Sequence, residues 1–404
     1  MSEIQSFIKQ FGNPDALIDH WEETSDCFAI WGFDETIEFS AKSCLINGKQ
    51  IDGNPLEILQ NTLNQWKSES ETLSATGYFS YDFKDFLFKH RDFKKYNSNI
   101  PLFWFGKPSK IVKYKIEELT PQKDLNVSIT QIQDIPKLSV YQEDIRKIKN
   151  YLQAGDIYQI NYTHPKKFQI NGNHFELYLK FRQSAKPHFG YYLNLKTFQI
   201  ISLSPERFVR KQDKTIDTFP IKGTRPRSSI PAEDEQLANE LVNSEKDRAE
   251  HLMIVDLLRN DIGKICKFGA VKVDKLYNIE SFETVHHLVT RVYGELKENV
   301  SETDIFDAMF PGGSITGAPK ERAMEIIDEL ENTNRGIYTG AIGFIKPNGD
   351  LDFNIAIRTM TIENGNGTYG VGGGIVWDSA PRNEWEEAQQ KGAILDTVIK
   401  ETII

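Results

Sequence analysis

The sequence predicts an α+β protein built on large antiparallel sheets. Segments with strand-like alternation follow one another in runs joined by turn signals, as at Gly190–Leu195, Phe198–Leu203 and Arg207–Lys211. Helical segments fall between these runs and do not alternate with single strands, so the βαβ rhythm of a parallel sheet is absent. The chain is 404 residues long and 11% aromatic, enough for a sizeable core. Length alone suggests two or three domains, although a large mixed sheet can form one unit of this size.

Residues 1 to about 120 read as short strands and hairpins with a few helices, with turns at Asn47-Gly48 and Asp52-Gly53. Residues 121–138 are polar and flanked by proline, which predicts a linker or peripheral excursion. Ser139 with Gln142 has the spacing of a capping box. Ile145, Ile148, Tyr151 and Leu152 then form a helical apolar face that Gly155 ends. Ile157–Ile170 alternates as a strand. A polar helix is expected over Glu233–Val242, and a second from Ser244 through Leu258. Val285–Gly294 alternates again. Ser301 and Asp304 cap a short helix, and Pro319 opens another over Lys320–Leu330. Pro347–Asp350 is a hairpin turn between strands 337–345 and 351–362. A last strand, Thr368–Trp377, leads into a helix from about Pro381 to Ile399.

Composition excludes several classes. The net charge of −10 argues against general nucleic-acid binding, and no apolar stretch approaches the roughly 20 residues that span a bilayer. The start of the chain lacks a basic region followed by an apolar run, so no signal peptide is expected. Cys27, Cys44 and Cys266 are scattered without metal-type spacing, which points to a reducing, cytoplasmic setting. An acidic protein must meet any anionic substrate with local cations or a metal.

The most informative stretch is Pro220–Arg227. Lys222 stands between an apolar approach (Phe219, Pro220, Ile221) and a Gly223-Thr224 turn. It reads either as a solvated lysine beside a turn or as an amine in an apolar pocket. In such a pocket it would lose proton affinity and become a nucleophile. Gly223 permits close backbone approach, and Thr224 offers a hydroxyl and an amide to an anion. Glu250 lies one helical turn from Met253 and Ile254, either on a charged flank or as a buried carboxylate that needs a cation. Glu384, Glu387 and Lys391 share one helical face, and Glu387–Lys391 also suits a solvated ion pair. Two distant helices each giving a carboxylate would suit Mg²⁺. Residues 311–320 form a Gly-rich helix start, ordinary or anion-binding, without Walker spacing. Arg358 lies within an alternating run, where an arginine grips a carboxylate. Glu206 ends a strand as a solvated residue or a pocket acid, and His287 is one of a strand pair.

At these residues the sequence resembles the chorismate-utilising enzymes. The resemblance is carried by Gly155–Thr163 (GDIYQINYT), Ser204–Phe208 (SPERF), Pro220–Arg227 (PIKGTRPR) and Asp247–Asp261 (DRAEHLMIVDLLRND). It continues through His286–Leu296 (HHLVTRVYGEL), Phe310–Lys320 (FPGGSITGAPK), Tyr338–Phe344, Ile355–Thr359 and Gly372–Ser379 with the glutamates and lysine that follow. It runs from about Ser139 to Ile399; the N-terminal third is only loosely similar. The resemblance implies a two-sheet α/β sandwich forming one intertwined unit over 1–404, with an N-terminal subregion 1–138 and a catalytic region 139–402.

The roles implied follow position by position. Members that form anthranilate have alanine where this chain has Lys222, which resembles the nucleophile of the branch that makes 4-amino-4-deoxychorismate from chorismate and ammonia, toward folate. Members that form isochorismate or salicylate carry a water-activating lysine where this chain has Gln159. Glu250 and Glu387, with Glu384 beside them, resemble the Mg²⁺ ligands. Glu206 resembles the acid that protonates the departing hydroxyl. Arg358, Lys391, Tyr338, Thr224, Gly223 and the amides near Gly373 and Gly374 would bind substrate carboxylates. His287 matches a histidine used for pyruvate elimination in anthranilate formation. No cysteine sits in a nucleophile-elbow context, so a separate glutamine amidotransferase subunit is expected to supply ammonia. A chorismate-binding subunit without turnover would need neither Glu206 nor Lys222.

Overall fold

The computed structural model describes residues 2–21, 27–40, 43–122, 127–282 and 285–396. In chain order, the N-terminal part runs α1 (Glu3–Phe11), β1 (Ala16–His20), β2 (Cys27–Phe39), β3 (Cys44–Ile46), β4 (Lys49–Ile51), α2 (Pro55–Glu69), β5 (Ala75–Phe79), α3 (Lys84–Leu87) and β6 (Phe103–Tyr114). Next come β7 (Val127–Gln133), α4 (Leu138–Ala154), β8 (Gln159–Gly172), α5 (His174–Ala185), β9 (Phe189–Asn194), β10 (Gln199–Ser204), β11 (Arg207–Gln212), β12 (Thr215–Thr218) and β13 (Ile221–Pro226). Two helices follow, α6 (Pro231–Asn243) and α7 (Glu245–Ile265), then the hairpin β14 (Lys272–Ser281) and β15 (Val285–Glu295). The remainder is α8 (Glu302–Met309), β16 (Gly317–Ala318), α9 (Lys320–Leu330), β17 (Ala341–Ile345), β18 (Leu351–Ile355), β19 (Thr359–Glu363), β20 (Asn366–Ile375) and α10 (Pro381–Lys391).

Every strand pairing among these is antiparallel. One sheet runs β7-β8-β20-β19-β10-β9-β1-β2. The other runs β6-β5-β17-β18-β11-β12-β15-β14, with β13 also on β15. The long strands β2 and β6 pair with each other over their whole length and so join the two sheets.

Period-2 alternation then sorts side chains into layers. Tyr191, Leu193 and Ile200 from the first sheet meet Tyr78, Ile342 and Phe344 from the second in one cluster between the sheets. Their neighbours Tyr192 and Ile201 face the opposite way, onto Phe175, Leu179 and the rest of α5. Ala341 and Ile345 turn toward a third cluster that holds Val255 and Ile262 of α7 and Ile305 and Phe306 of α8. Strands covered on both faces lose the polar half of their alternation, as β17 shows with all five residues buried. Among the described residues no helix is long and apolar enough to cross a membrane.

Several elements depart from the sequence expectations. The 121–138 stretch contains β7, whose backbone pairs with the edge of β8, so its polar residues belong to an edge strand and not to a linker. Helix α4 starts at Leu138 with Lys137 at its N-cap and no side-chain cap, which moves Ser139 inside the first turn and leaves the capping box unformed. Gly155 does end it, at φ 79°. The expected strand 351–362 breaks into β18 and β19 around Ala356–Arg358. The last helix stops at Lys391, before Gly392, where Lys166 packs so closely that a Cβ would meet its Cε at 2.7 Å. Its expected continuation beyond residue 396 lies outside the described residues.

A buried ion pair fixes the N-terminal strands against α5. Asp19 is 1% exposed and accepts from Arg182 Nη1 at 2.6 Å, Tyr178 Oη at 2.6 Å and the Tyr114 hydroxyl. The other guanidinium nitrogen of Arg182 donates to the Leu119 carbonyl. Removing one partner of such a pair leaves an uncompensated charge in the core. Arg182→Met is therefore expected to destabilise the fold by about 3–5 kcal/mol, measured as a lowered urea midpoint, whereas replacement of the exposed Arg146 should leave that midpoint in place.

Candidate active site

A cavity of about 410 Å³ opens where the β20 end of the first sheet, the β13–β15 ribbon, α7 and α10 meet. Its lining includes Glu206, Lys222, Gly223, Thr224, Glu250, His287, Tyr338, Arg358, Gly373, Gly374, Glu384, Glu387 and Lys391. Thirteen of the fourteen candidate residues thus share one cavity, although they come from eight separate segments. The fourteenth, Gln159, is wholly buried and is not part of the lining.

Lys222 lies on a strand and not in a turn. β13 pairs with β15 through Lys222↔Leu288 and Thr224↔His287, and the register shift between them leaves Gly223 as a bulge with φ 74°. The bulge re-aims the lysine toward the cavity. Glycine is required at that φ, and also because a Cβ would stand 2.8 Å from Leu241 and 3.2 Å from Asp247. The demand comes from helix packing and backbone angle, so the expected role in ligand approach is secondary. Thr224 Oγ1 pairs with His287 Nδ1 at 3.0 Å. Burial, with Arg358 and the neighbouring histidines adding to it, pushes the His287 pKa down to about 4 and keeps its ring neutral.

Burial also lowers the proton affinity of Lys222, against the opposing pull of Glu206 and Glu250. The amine makes one long hydrogen bond, to the Ser314 carbonyl at 3.4 Å. Glu206 sits between β10 and β11, 7% exposed, and accepts from Ser314 Oγ at 2.7 Å. Burial raises its pKa to about 7, while the Ser314 bond and the Lys222 charge oppose the rise. Desolvation disfavours both charges, so in this wall it shifts the acid toward its protonated form and the amine toward its neutral form.

The carboxylates gather on the other side. A Cβ at Gly373 would lie 3.5 Å from Glu387 Oε1, 3.6 Å from Lys391 Nζ and 3.7 Å from Glu384 Oε2. Lys391 Nζ bonds Glu387 Oε1 at 2.7 Å and the Gly372 carbonyl at 2.8 Å. Glu250 projects from α7, 3.9 Å from Lys246. Burial raises the pKa of Glu250 and of Glu384; repulsion from Asp247 and Glu384 adds to the rise at Glu250, and repulsion from Glu387 adds to it at Glu384. Among the described residues no three His, Cys, Asp or Glu side chains already form a ligand cage. The oxygens are hard donors facing a common space, which suits a hard divalent ion that keeps part of its water.

Arg358 occupies the break between β18 and β19 at φ 50°, not the middle of a strand. A non-glycine residue in this region is strained, and here the strain turns an exposed guanidinium to the cavity. Tyr338 is seated by Gly370, where a Cβ would fall 2.2 Å from its ring. Behind this floor, Arg335 is buried and clamps Glu331 through Nε at 2.9 Å and Nη2 at 2.7 Å. It also donates to the carbonyls of Ile315 at 3.0 Å and Asn161 at 2.6 Å, two residues of the lining.

The sequence reading missed Ser314, Asn161, Lys246 and Asp247, which also face the cavity. Ser314 was within reach, since it lies in the Gly-rich 311–320 stretch. That stretch contributes through the turn Gly313–Ile315, and the N-terminus of α9 plays no part, because Lys320 there is buried on Asp261 at 2.6 Å.

The signature of the chorismate binding enzyme family matches residues 18–396, and the chain belongs to that family. Aminodeoxychorismate synthase component 1 of Escherichia coli (strain K12) is 43% identical over 68% of this chain and 60% of its own length. The protein of the same description from Bacillus subtilis is 43% identical over 64% of this chain. The chain spans 55% of the length of that relative. Anthranilate synthase component 1 of Saccharolobus solfataricus is 38% identical over 87% of both chains. The crystal structure of anthranilate synthase component I from Streptococcus pneumoniae superposes with a TM-score of 0.83, at 28% identity, over 98% of this chain and 97% of that one.

The raised Glu206 carboxyl makes stability depend on pH. Between its ordinary value of 4.5 and its folded value of about 7, the folded chain holds a proton that the unfolded chain has released. Stability from this group is therefore full below the lower value and falls as pH rises to the upper one, by roughly 3 kcal/mol in all. Glu206→Gln removes this loss. Urea unfolding should show the variant gaining on the unsubstituted protein by about 2–3 kcal/mol between pH 4.5 and 7.5, and a pH-independent difference would contradict it.

Proposed function

We propose that this chain aminates chorismate, acting as component I of an aminodeoxychorismate synthase on the route to para-aminobenzoate and folate. The observation that carries the reading is one cavity wall holding both Lys222, whose proton affinity burial lowers, and Glu206, whose carboxyl pKa burial raises to about 7. The names of the relatives from E. coli and B. subtilis support it.

Lys222 Nζ attacks ring carbon C2, the ring double bonds shift, and the C4–O bond breaks. Glu206 gives its proton to the departing hydroxyl, which leaves as water. Ammonia then forms the C4–N bond as the C2–Nζ bond breaks, and Lys222 leaves as the neutral amine. The new C4 ammonium returns one proton to the Glu206 carboxylate, which restores both groups. The sum is chorismate plus ammonia giving 4-amino-4-deoxychorismate plus water. A positioned acid contributes about 10²–10⁴-fold to such a step. Arg358, Lys391, Tyr338, Thr224 and the amides around Gly373 and Gly374 bind the two carboxylates of the substrate. Glu250, Glu387 and Glu384 would hold Mg²⁺, which when bound neutralises and orients the ring carboxylate. Ammonia comes from a separate glutamine amidotransferase subunit.

A second reading, anthranilate synthase component I, is favoured by His287 facing the cavity and by the relative from Saccharolobus solfataricus. The product separates them. Chain, chorismate, Mg²⁺ and ammonium salt should yield aminodeoxychorismate by mass, and fluorescent anthranilate as main product would overturn the first reading. Lys222→Ala should lower the amination rate by at least about 10²-fold; an undiminished rate would remove the nucleophilic role. With EDTA the activity should disappear and return on adding Mg²⁺. Glu387→Gln should raise the Mg²⁺ concentration for half-maximal rate at least tenfold, which a titration at saturating chorismate reads directly.

A further inference from the structure

The side chain of Gln159 is the least satisfied polar group in this part of the molecule. It is 0% exposed, and neither Oε1 nor Nε2 has a hydrogen-bond partner. A buried primary amide left unpaired is destabilising, and such groups are rare. An apolar side chain of the same length would fill the space without that cost.

Its surroundings show what the amide could serve. Gln159 and Asn161 project from the same face of β8, and Asn161 pairs with Gly374 across the ladder. The space over Gly374 is shared: a Cβ there would stand 3.0 Å from Gln159 Nε2, 3.4 Å from Gln159 Cδ and 3.4 Å from Lys222 Nζ. The absence of a side chain at Gly374 therefore leaves the amide and the amine facing each other across one small gap. The amine itself is weakly held, by the single 3.4 Å bond to the Ser314 carbonyl.

We infer that Gln159 is a positioning residue for Lys222: its terminal amide, whose Nε2 lies nearer the gap in this structure, turns over in the reacting state so that Oε1 accepts from the lysine amine and fixes where the lone pair points. The inference rests on the reading of Lys222 as the nucleophile. A neutral amine has two N–H donors and one lone pair. With one donor on the Ser314 carbonyl and the other on Gln159 Oε1, the lone pair is directed away from both, into the cavity. A carboxamide suits this place because it accepts without adding negative charge. A carboxylate there would hold the lysine as ammonium and quench it. Lys222 already faces Glu206, Glu250 and Glu387 on the acidic side and Lys391 on the basic side, and Gln159 adds a partner without altering that balance.

The test uses Gln159→Met and Gln159→Glu in the full chain. Three quantities are measured: urea midpoint, steady-state amination with ammonium as nitrogen source, and labelling of Lys222 by cyanate across pH, read by peptide mass. Gln159→Met should raise the midpoint while lowering kcat at least tenfold, with KM for chorismate and for ammonium unchanged within twofold. Gln159→Glu should move half-maximal labelling of Lys222 upward by at least one pH unit, and it keeps the test open if the Met variant fails to fold. Three results would overturn the inference: wild-type kcat in Gln159→Met, an unmoved labelling curve in Gln159→Glu, or a defect confined to KM for ammonium, which would assign the amide to ammonia. If Lys222→Ala retains full rate, the nucleophile reading fails instead, and the two failures are told apart by that variant.

Discussion

The site depends on desolvation of two groups of opposite chemistry in one wall. In water Glu206 would be an anion and Lys222 a cation, and the pair would hold each other as a spent ion pair. Burial disfavours both charges, and neither group has a strong partner to restore its own: Glu206 has one serine hydroxyl and Lys222 one distant carbonyl. Both shifts run the same way, toward a protonated acid beside a neutral amine. Arg358 also lines the cavity, and Lys391 stands with Glu384 and Glu387 around Gly373.

That arrangement needs backbone features that regular sheets do not supply. The Gly223 bulge turns Lys222 inward, and the left-handed Arg358 breaks what would otherwise be a continuous strand from β18 to β19. Both deviations cost free energy, on the order of 1–3 kcal/mol for the non-glycine residue. They persist because the structure around them is over-determined. Arg335 ties Glu331, Ile315 and Asn161 together from behind, and Gly370 receives the Tyr338 ring at a distance that admits no other residue. The chain is acidic as a whole, so any anionic ligand would depend on this cationic rim.

Much of this was legible in the sequence, and for identifiable reasons. Strands such as β8 and β15 announce themselves by alternation, and Gly155, Ser244 and Ser301 mark helix ends through chemistry local to the chain. The site residues could be grouped by resemblance because each lies in a distinctive short motif. Features set by distant partners were not legible. β7 exists because the edge of β8 needs a neighbour, and its polar residues carry no period that says so. The capping box at Ser139 failed because the helix begins one residue earlier. Arg358 looked like a strand residue because alternation continues across a break that only φ reveals. Gly223 read as a ligand contact, but its nearest constraint is the packing of Leu241 and Asp247.

A shared scaffold with different products implies that the product is decided by few atoms. The relative from Saccharolobus solfataricus matches 87% of this chain at 38% identity, and the superposition with the Streptococcus pneumoniae structure leaves little of the fold unshared. The shared sheets and helices therefore cannot by themselves account for the different names of these relatives. What differs must lie among the cavity side chains, where this chain has an amine on a bulged strand with an unpaired amide beside it. A fold that tolerates a buried, unsatisfied amide at Gln159 is giving up stability at a spot where methionine or leucine would pack. Such a loss makes sense where the amide is satisfied only during the reaction, by the lysine it faces. The stability forgone at position 159 and the reactivity gained at position 222 are then two readings of the same empty space over Gly374.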